Sequence, residues 1–410
     1  MKRPSILFVN RVYPPYRGAT GRVLRDLARG FAREGWQVYV LTTGAKFSKE
    51  RDGAIKVMRV KGSANPQGKL AYFIIWVRLF RAMFLFPKTD IIVTMTDPPM
   101  LNVIGHYMSR IRRSKHIHWC QDLYPDLLKA FDISMPAFAS RFLHRLSRRT
   151  MQKAAKNIVI GRCMAKHLSH SGLSPQNITV IPNWPDHELR SETSSLPKYV
   201  EVPNVEGLKN YDDLLKTGPK FRVLYAGSIG MAHPHEIIVD AAELLAESNP
   251  EIEFVFVGEG DGFEKIAEAR IKRNLQNIRM LPYQPNSRLK EIMESGDVHL
   301  ISMKEQAAGC LVPSKLYAAL AVGRPVIFIG PENCETAKVI HDFKAGQIIA
   351  QGNAKRLAEA ILLYRNDGDQ WFSAYEGASK AGQIFVPEES ISAWVKRAND
   401  IVHHKGRKAA

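Results

Sequence analysis

The 410 residues predict an α/β protein built as two doubly wound parallel sheets, each flanked by helices. Short, continuously apolar runs alternate with amphipathic helical stretches, the pattern of strands buried on both faces. The alternation stops over residues 190–219, which are polar and rich in Pro, Ser and Gly, and then starts again. The length also exceeds what a single hydrophobic core supports. Sheets of this kind bind ligands beyond the carboxyl ends of their strands, so two of them are expected to face a shared cleft.

In chain order, Ser5–Val9 reads as the first strand rather than a signal peptide, because its apolar run is too short. Arg22–Arg33 reads as a helix with Leu24, Leu27, Ala28 and Phe31 on one face, stopped by Gly35. Strands follow at Gln37–Thr42, Ile91–Thr94, Lys115–Cys120, Asn157–Ile160 and Ile178–Ile181. Residues 69–90 read as a helix mostly packed on the sheet, or else with its end touching lipid, since Leu70–Val77 is too short and too close to Arg78 and Arg81 to span a bilayer. The second alternation places strands at Phe221–Tyr225, Glu253–Val257, Asn277–Leu281, Val298–Ile301, Val326–Ile329 and Gly346–Ile349. Helices are expected around Glu236–Ala246, Gly262–Ile271, Ser287–Glu294, Pro313–Val322 and Ala354–Leu363. The expected domains are therefore 1–190 and 220–385, with a linker over 191–219. The remainder, 386–410, holds a last helix, about Glu388–Val402, that can belong to either domain, including by packing back on the first.

With 45% hydrophobic and 24% charged residues the composition is that of an ordinary globular protein. Four scattered cysteines with no CxxC pair exclude a disulfide framework and a zinc site, and fit a reducing compartment. Fifty-eight Lys and Arg against forty Asp and Glu give a net charge of +18, which favours polyanionic partners. The surplus concentrates in residues 110–115 and in 141–156, where Leu143, Leu146, Thr150 and Ala154 form one helical stripe and leave arginines on the other faces. That helix reads either as a solvated face or as a surface for an anionic membrane. No aromatic-basic interleaving marks a specific nucleic-acid binder.

Chemistry concentrates at glycine-bearing turns between strands and helices. Residues 10–27 carry Gly18 and Gly21, the latter read as preceding a helix N-terminus. Residues 225–239 carry Gly227, Ser228 and Gly230, with His233 before a helix. Either loop can also be a plain turn. The glycines of "VGEGDGF" make a lone match to a dinucleotide fingerprint without a downstream ribose-binding acid. In "GCLVPSKLYAALAVGRPVIF", Pro313 suits a helix start and Gly323 its stop. Lys315 then sits where the helix dipole repels a cation, which is understandable if an anion binds there, or else it is a solvated turn lysine.

Taken together, "RGATGRVLRDLARGFAREGWQVYVLTTG", "HWCQDLYPDLL", "VIPNWPD", "YAGSIG", "FVGEGDG" and "VPSKLYAALAVGRPVIF" resemble the GT-B glycosyltransferases of family 4, particularly the branch building bacterial surface polysaccharides. The resemblance covers nearly the whole chain. It implies a nucleotide-sugar donor, UDP-linked N-acetylhexosamines being the first expectation, retention by front-face attack, and no metal or other cofactor. Gly18 and Gly21 would border the donor pyrophosphate from the first domain. Gly227, Ser228 and His233 would meet it from the second, with Ser314 and Lys315 at the donor end of their helix. Asp122 and Tyr124, with His118 as companion, would lie on the acceptor side, and Asn183 would be structural. The two glutamates usual in this family fall at Cys310 and Ala318, so ribose recognition would pass to another residue, Glu335 or Glu305, unless both are simple surface acids. The loop residues usually supplying Arg and Lys read Met231-Ala232-His233 instead. The expected partners are a polyprenyl-diphosphate-linked sugar or oligosaccharide and the anionic inner face of the cell membrane, giving a cytoplasmic, peripherally attached enzyme. A nucleotide-sugar epimerase is the alternative, disfavoured by the scarcity of acids in these motifs.

Overall fold

The computed structural model describes residues 3–63, 65–189 and 220–403; the expected linker 191–219 lies outside them. The chain divides into two compact units. The first comprises residues 1–183, 309–312 and 387–410, and the second 184–308 and 313–386.

The first unit is built on an eight-stranded sheet of β1 (Ser5–Val9), β2 (Gln37–Gly44), β3 (Ser48–Asp52), β4 (Ile55–Lys61), β5 (Ile91–Thr94), β6 (Lys115–Cys120), β7 (Lys156–Val159) and β8 (Ile178–Val180). Its order is β3-β4-β2-β1-β5-β6-β7-β8, parallel except for the β3–β4 pair. β3 and β4 were not legible as strands. "SKERD" is polar and mostly exposed, an edge strand with no apolar run. It is held down from outside the sheet, where Asp52 accepts hydrogen bonds from Arg25, Arg29 and the Tyr13 hydroxyl.

β1 is buried at every position, so its apolar run has helices on both faces. On one face the helix Ala19–Arg33 meets the C-terminal helix Pro387–His403, which belongs to this unit. A Cβ on Gly30 would come within 2.3 Å of Ile391, which is why the two helices approach at a glycine. Trp394 stacks edge-on against Trp119 with ring centres 4.9 Å apart. On the other face Ile75, Leu79 and Ala82 of the helix Gly68–Ala82 enter a core with Leu7, Val9, Ile92, Leu101 and Ile104. That helix packs on the sheet as its sequence suggests, yet leaves Leu70, Phe73 and Ile74 exposed. The basic helix spans Ala137–Gln152 and buries Ser147, Thr150 and Met151, with Arg141, Arg145, Arg148 and Arg149 exposed. The stripe read from the sequence holds at Thr150, while Leu143 and Leu146 are only half-buried and Ala154 lies past the helix end.

The second unit holds β9 (Phe221–Ala226), β10 (Ile252–Val257), β11 (Ile278–Leu281), β12 (Val298–Ser302), β13 (Val326–Ile329) and β14 (Gly346–Ile349), all parallel, in the order β11-β10-β9-β12-β13-β14. Counted from β9 this is the 3-2-1-4-5-6 order of a dinucleotide-type sheet, whose direction of winding reverses between β9 and β12. Two helices here were not predicted, Glu335–Phe343 and Gly368–Ile384. The helix expected from Pro313 begins at Lys315 with Ser314 as its cap and ends at Ala321, followed by Gly323 in the left-handed region at φ 64°. Among the described residues no helix is long and apolar enough to cross a membrane.

Candidate functional site

The carboxyl end of β9 opens into the loop Gly227–His233. Gly227 adopts φ 118°, and a Cβ there would sit 3.0 Å from Lys315 Cε. Lys315 lies across this backbone. Its Nζ donates to the Ser228 carbonyl oxygen at 2.9 Å and stands 5.2 Å above the Tyr225 ring. Burial alone pushes its ammonium down to about 8. Lys315 is half-buried, the first residue of its helix, and joins Gly227 and Ser228 as the sequence motifs suggest.

The rest of the loop is fixed by glycines. Gly227 N donates to Val257 O at 2.8 Å and Ile229 N to Glu259 O at 3.0 Å, which zips the loop to residues 257–262. A Cβ on Gly258 would fall 2.3 Å from Gly227 O, and one on Gly262 would fall 2.4 Å from Ile229 Cγ2. The "GEGDG" glycines therefore let two loops touch, and need no dinucleotide to explain them. Ser228 Oγ lies 2.9 Å from the Tyr283 hydroxyl.

His233 does not replace the missing loop cations. Its Nδ1 donates to Ser302 O at 2.5 Å, and burial, then the nearby Lys315 charge, pushes the ring down to about 3, so it is neutral. Ser314 is half-buried and its hydroxyl makes no capping bond. Glu335 is buried in the first turn of Glu335–Phe343, where a carboxylate suits the helix dipole, beyond β13 at the same carboxyl edge. Glu305 is exposed. Cys310, at one of the two glutamate positions, is buried with its thiol pushed up to about 12, chiefly by burial.

The first unit gathers a different set. Gly18 caps the helix Ala19–Arg33 at φ 152°; Gly21 lies inside that helix rather than before it. A Cβ on Gly21 would meet Val12 Cγ1 at 2.8 Å and Val12 O at 3.0 Å, so the glycine accommodates the preceding loop. Asp122 follows β6. Its N–H donates to Thr96 Oγ1 at 3.3 Å, and its carboxyl is pushed up to about 7 by burial and by Asp97, against a hydrogen bond from Thr96. His118 is buried on β6, its Nδ1 donating to Thr94 O at 3.0 Å, and burial pushes its ring down to about 4. It is thus a neutral strand residue tied to the neighbouring strand. Tyr124 has its hydroxyl held well above the ordinary value by burial and by Asp122. Asn183 and Gln121 exchange two buried side-chain hydrogen bonds at 2.7 and 3.1 Å, which makes Asn183 structural.

Sequence reasoning missed Arg11, Tyr72 and Asp97. Arg11 Nε donates to Asp97 Oδ1 at 2.7 Å, its backbone N–H donates to Asp97 O at 2.6 Å, and its guanidinium lies 6.0 Å from the Tyr72 ring centre. Arg11 and Asp97 each stand just past a strand end, the position that could have singled them out; Tyr72 hides in an apolar helix. Among the described residues no group of three or more His, Cys, Asp or Glu is arranged to hold a metal ion.

Two family models match in succession, a glycosyl transferase 4-like domain over residues 18–184 and glycosyl transferases group 1 over 209–404. Over 367 residues, 83% of this chain and 86% of the relative, it is 25% identical to WcaI of Escherichia coli (strain K12), named as a colanic acid biosynthesis glycosyl transferase. Among solved structures, Anabaena Alr3699/HepE in complex with UDP and glucose superposes with a TM-score of 0.71 at 15% identity, covering 97% of this chain and 100% of that one. Sucrose-phosphate synthase from Thermosynechococcus elongatus superposes with a TM-score of 0.73 at 13% identity, covering 98% and 100%. With both of its halves matched and its two parallel-sheet units in place, the chain belongs to the GT-B glycosyltransferases of family 4.

Proposed function

We propose that this glycosyltransferase moves a hexose or N-acetylhexosamine, with retention, from a UDP-sugar to a polyprenyl-diphosphate-linked or saccharide acceptor in bacterial surface polysaccharide synthesis. The observation that carries the donor side is Lys315 laid across the Gly227–Ser228 backbone at the carboxyl edge of the second sheet. An ammonium and a side-chain-free loop at such an edge form a place for a diphosphate. Support for uridine comes from HepE, solved with UDP and with UDP-glucose, and for the pathway from the name of WcaI.

In this reading the glycosyl–phosphate bond breaks as the acceptor hydroxyl attacks the same face of the sugar and gives its proton to the departing diphosphate. Charge grows on the departing diphosphate, and Lys315 neutralises part of it. Asp122 supplies the polar group on the acceptor side. His118, neutral and bonded to Thr94, orients its strand end rather than carrying charge.

A lipid-linked acceptor fits the outer face of the first unit. The neighbouring helices Gly68–Ala82, Leu101–Arg112 and Ala137–Gln152 expose Leu70, Phe73, Tyr107, Ile111, Phe138 and Phe142 among arginines. Apolar side chains interspersed with cations suit an anionic bilayer surface, each cation contributing about 1 kcal/mol.

The test is release of the matching nucleoside diphosphate from a panel of UDP-, GDP- and dTDP-sugars, with and without membrane lipid extract. Acceptor-dependent release from a UDP-sugar that persists in EDTA is expected. Interconversion of the sugar without any acceptor would make the protein an epimerase instead. Flotation with anionic vesicles should show binding that weakens with salt, and equal binding to neutral vesicles would remove the electrostatic part.

A further inference from the structure

The loop of residues 10–18, between β1 and the helix Ala19–Arg33, is fastened by groups that reach it from β3 and β4. Arg59 of β4 is buried, and its guanidinium lies 5.9 Å from the centre of the Tyr13 ring. Its Nη1 donates to Tyr13 O at 3.4 Å and to Thr43 O at 3.2 Å, and its Nη2 donates to Pro14 O. Its Nε donates to Glu50 Oε1 on β3 at 2.7 Å, an ion pair that fixes the guanidinium plane. A Cβ on Gly44 of β2 would fall 2.8 Å from Arg59 Cδ, so a glycine there leaves the space through which Arg59 reaches the loop.

A second anchor engages the same loop residue. The Tyr13 hydroxyl, on a side chain 1% exposed, donates to Asp52 Oδ2 at 2.8 Å. Arg25 and Arg29, from the helix that the loop leads into, donate to the same carboxylate at 2.7 and 2.8 Å. The Tyr16 hydroxyl donates to Gly62 O, just past β4, at 3.4 Å. These tethers end where the exposed residues 17–19 begin, beyond the carboxyl end of β1. β3 itself is polar and mostly exposed, so it adds little apolar burial. What it supplies is Glu50 and Asp52, two positions apart on one face of the strand and one for each anchor.

We propose that Arg59 and the Tyr13–Asp52 pair are positioning groups that preset the loop of residues 10–18 for substrate, with β3 supplying their carboxylates. This rests on the glycosyltransferase reading above, with Gly18 bordering the donor diphosphate, and deepens it. A loop that is already ordered loses no further conformational freedom on binding. Loosening it therefore weakens the hold on substrate, beyond any effect on the fold.

The experiment is steady-state kinetics of the intact protein with the UDP-sugar selected from the panel, in the presence of membrane lipid extract. Amide hydrogen exchange of the ligand-free protein accompanies it. Tyr13→Phe keeps the ring beside Arg59 and removes only the hydroxyl that meets Asp52. Its KM for the UDP-sugar should rise about threefold, the scale of one lost hydrogen bond. Exchange at Tyr13 and over residues 16–18 should quicken while β1 stays protected. Arg59→Ala, which frees two loop carbonyls, should raise KM by about tenfold. A merely structural anchor lowers the folded fraction, and with it kcat, at an unchanged KM. That outcome in either folded variant, or unchanged exchange in Tyr13→Phe, overturns the proposal. Should Arg59→Ala fail to fold, Tyr13→Phe alone decides it. Failure of the parent reading looks different: the wild type itself then gives no acceptor-dependent release of UDP, and the proposal falls with it.

Discussion

At the carboxyl edge of the second sheet the groups facing the glycine loop are a lysine and a neutral histidine, set against backbone carbonyls and tyrosine hydroxyls. At the corresponding edge of the first sheet stand two aspartates, one arginine and two tyrosines. Both edges shift their titratable groups by the same physical cause, burial, but with opposite results. Burial lowers Lys315 toward neutrality and raises Asp122 toward it. Each edge therefore keeps a charge that is costly when the site is empty and relieved by a partner of the right sign. In the function proposed above, that partner is an anion for Lys315 and a hydroxyl donor for Asp122. The two sheets share a winding plan, and the chemistry differs because the residues just past the strand ends differ.

The largest effect expected from breaking this contrast is on the cationic side. Lys315→Ala should lower kcat/KM by about 10²-fold, the scale of losing one group that meets developing charge. kcat should fall with donor affinity, since the charge is greatest in the transition state. The thermal melt should stay near wild type, because the lost hydrogen bond to Ser228 O is offset by relief of a buried ammonium. Wild-type kinetics in this variant would reduce Lys315 to a loop brace.

Next comes the loop that carries the contrast. Gly258→Ala places a methyl 2.3 Å from Gly227 O and should cost about 1–3 kcal/mol of stability by overpacking. Gly230→Ala, whose Cβ meets nothing within 4 Å, should be nearly neutral. Comparable melts for the two variants would show that the loops at 227–230 and 257–262 do not pack as described.

Much of this frame was legible from the apolar runs. Ile91–Thr94, Lys115–Cys120 and Val326–Ile329 match the observed strands at both ends, because strands buried on two faces announce themselves by composition, and the half-buried edge strand Gly346–Ile349 matches as well. β3 escaped because "SKERD" is held by Arg25, Arg29 and Tyr13 from a distant helix and loop, contacts that leave no local pattern. The Lys315–Gly227–Ser228 set was readable as motifs, being backbone geometry written in glycines. The neutrality of His233 was not readable, since it depends on burial and on the Lys315 charge. Arg11, Tyr72 and Asp97 come from three separate segments, and only the sheet order brings them to one edge.

On the acidic side, stability itself should report the buried charge. Asp122 has a folded value of about 7 against an ordinary 3.8, so the native state favours its protonated form. Its contribution is complete below 3.8 and is lost as the pH rises through about 7. Asp122→Asn should therefore match the wild type near pH 4 and exceed it by about 1–2 kcal/mol near pH 8. The gap should appear as a melting temperature that diverges with pH. A constant difference across that range would mean that the Asp122 carboxyl is solvated rather than desolvated in the folded chain.

The smallest effect expected is a fraction of a proton, and it tests the cationic edge without any mutation. With Lys315 lowered to about 8, part of the empty protein carries a neutral amine at that pH. In the folded chain this lowered value costs stability below about 8, and the cost fades as the pH climbs toward the ordinary 10.5. A diphosphate set beside the amine favours its charged form, so UDP binding should draw a proton from solution. Calorimetry of UDP binding near pH 8, in buffers of differing ionisation enthalpy, measures that uptake as the slope of observed heat against buffer enthalpy. A positive uptake in the wild type that vanishes in Lys315→Met ties it to this residue. Binding with no uptake at any pH between about 7 and 9 would place the diphosphate away from Lys315, and the opposition between the two edges would lose its ligand.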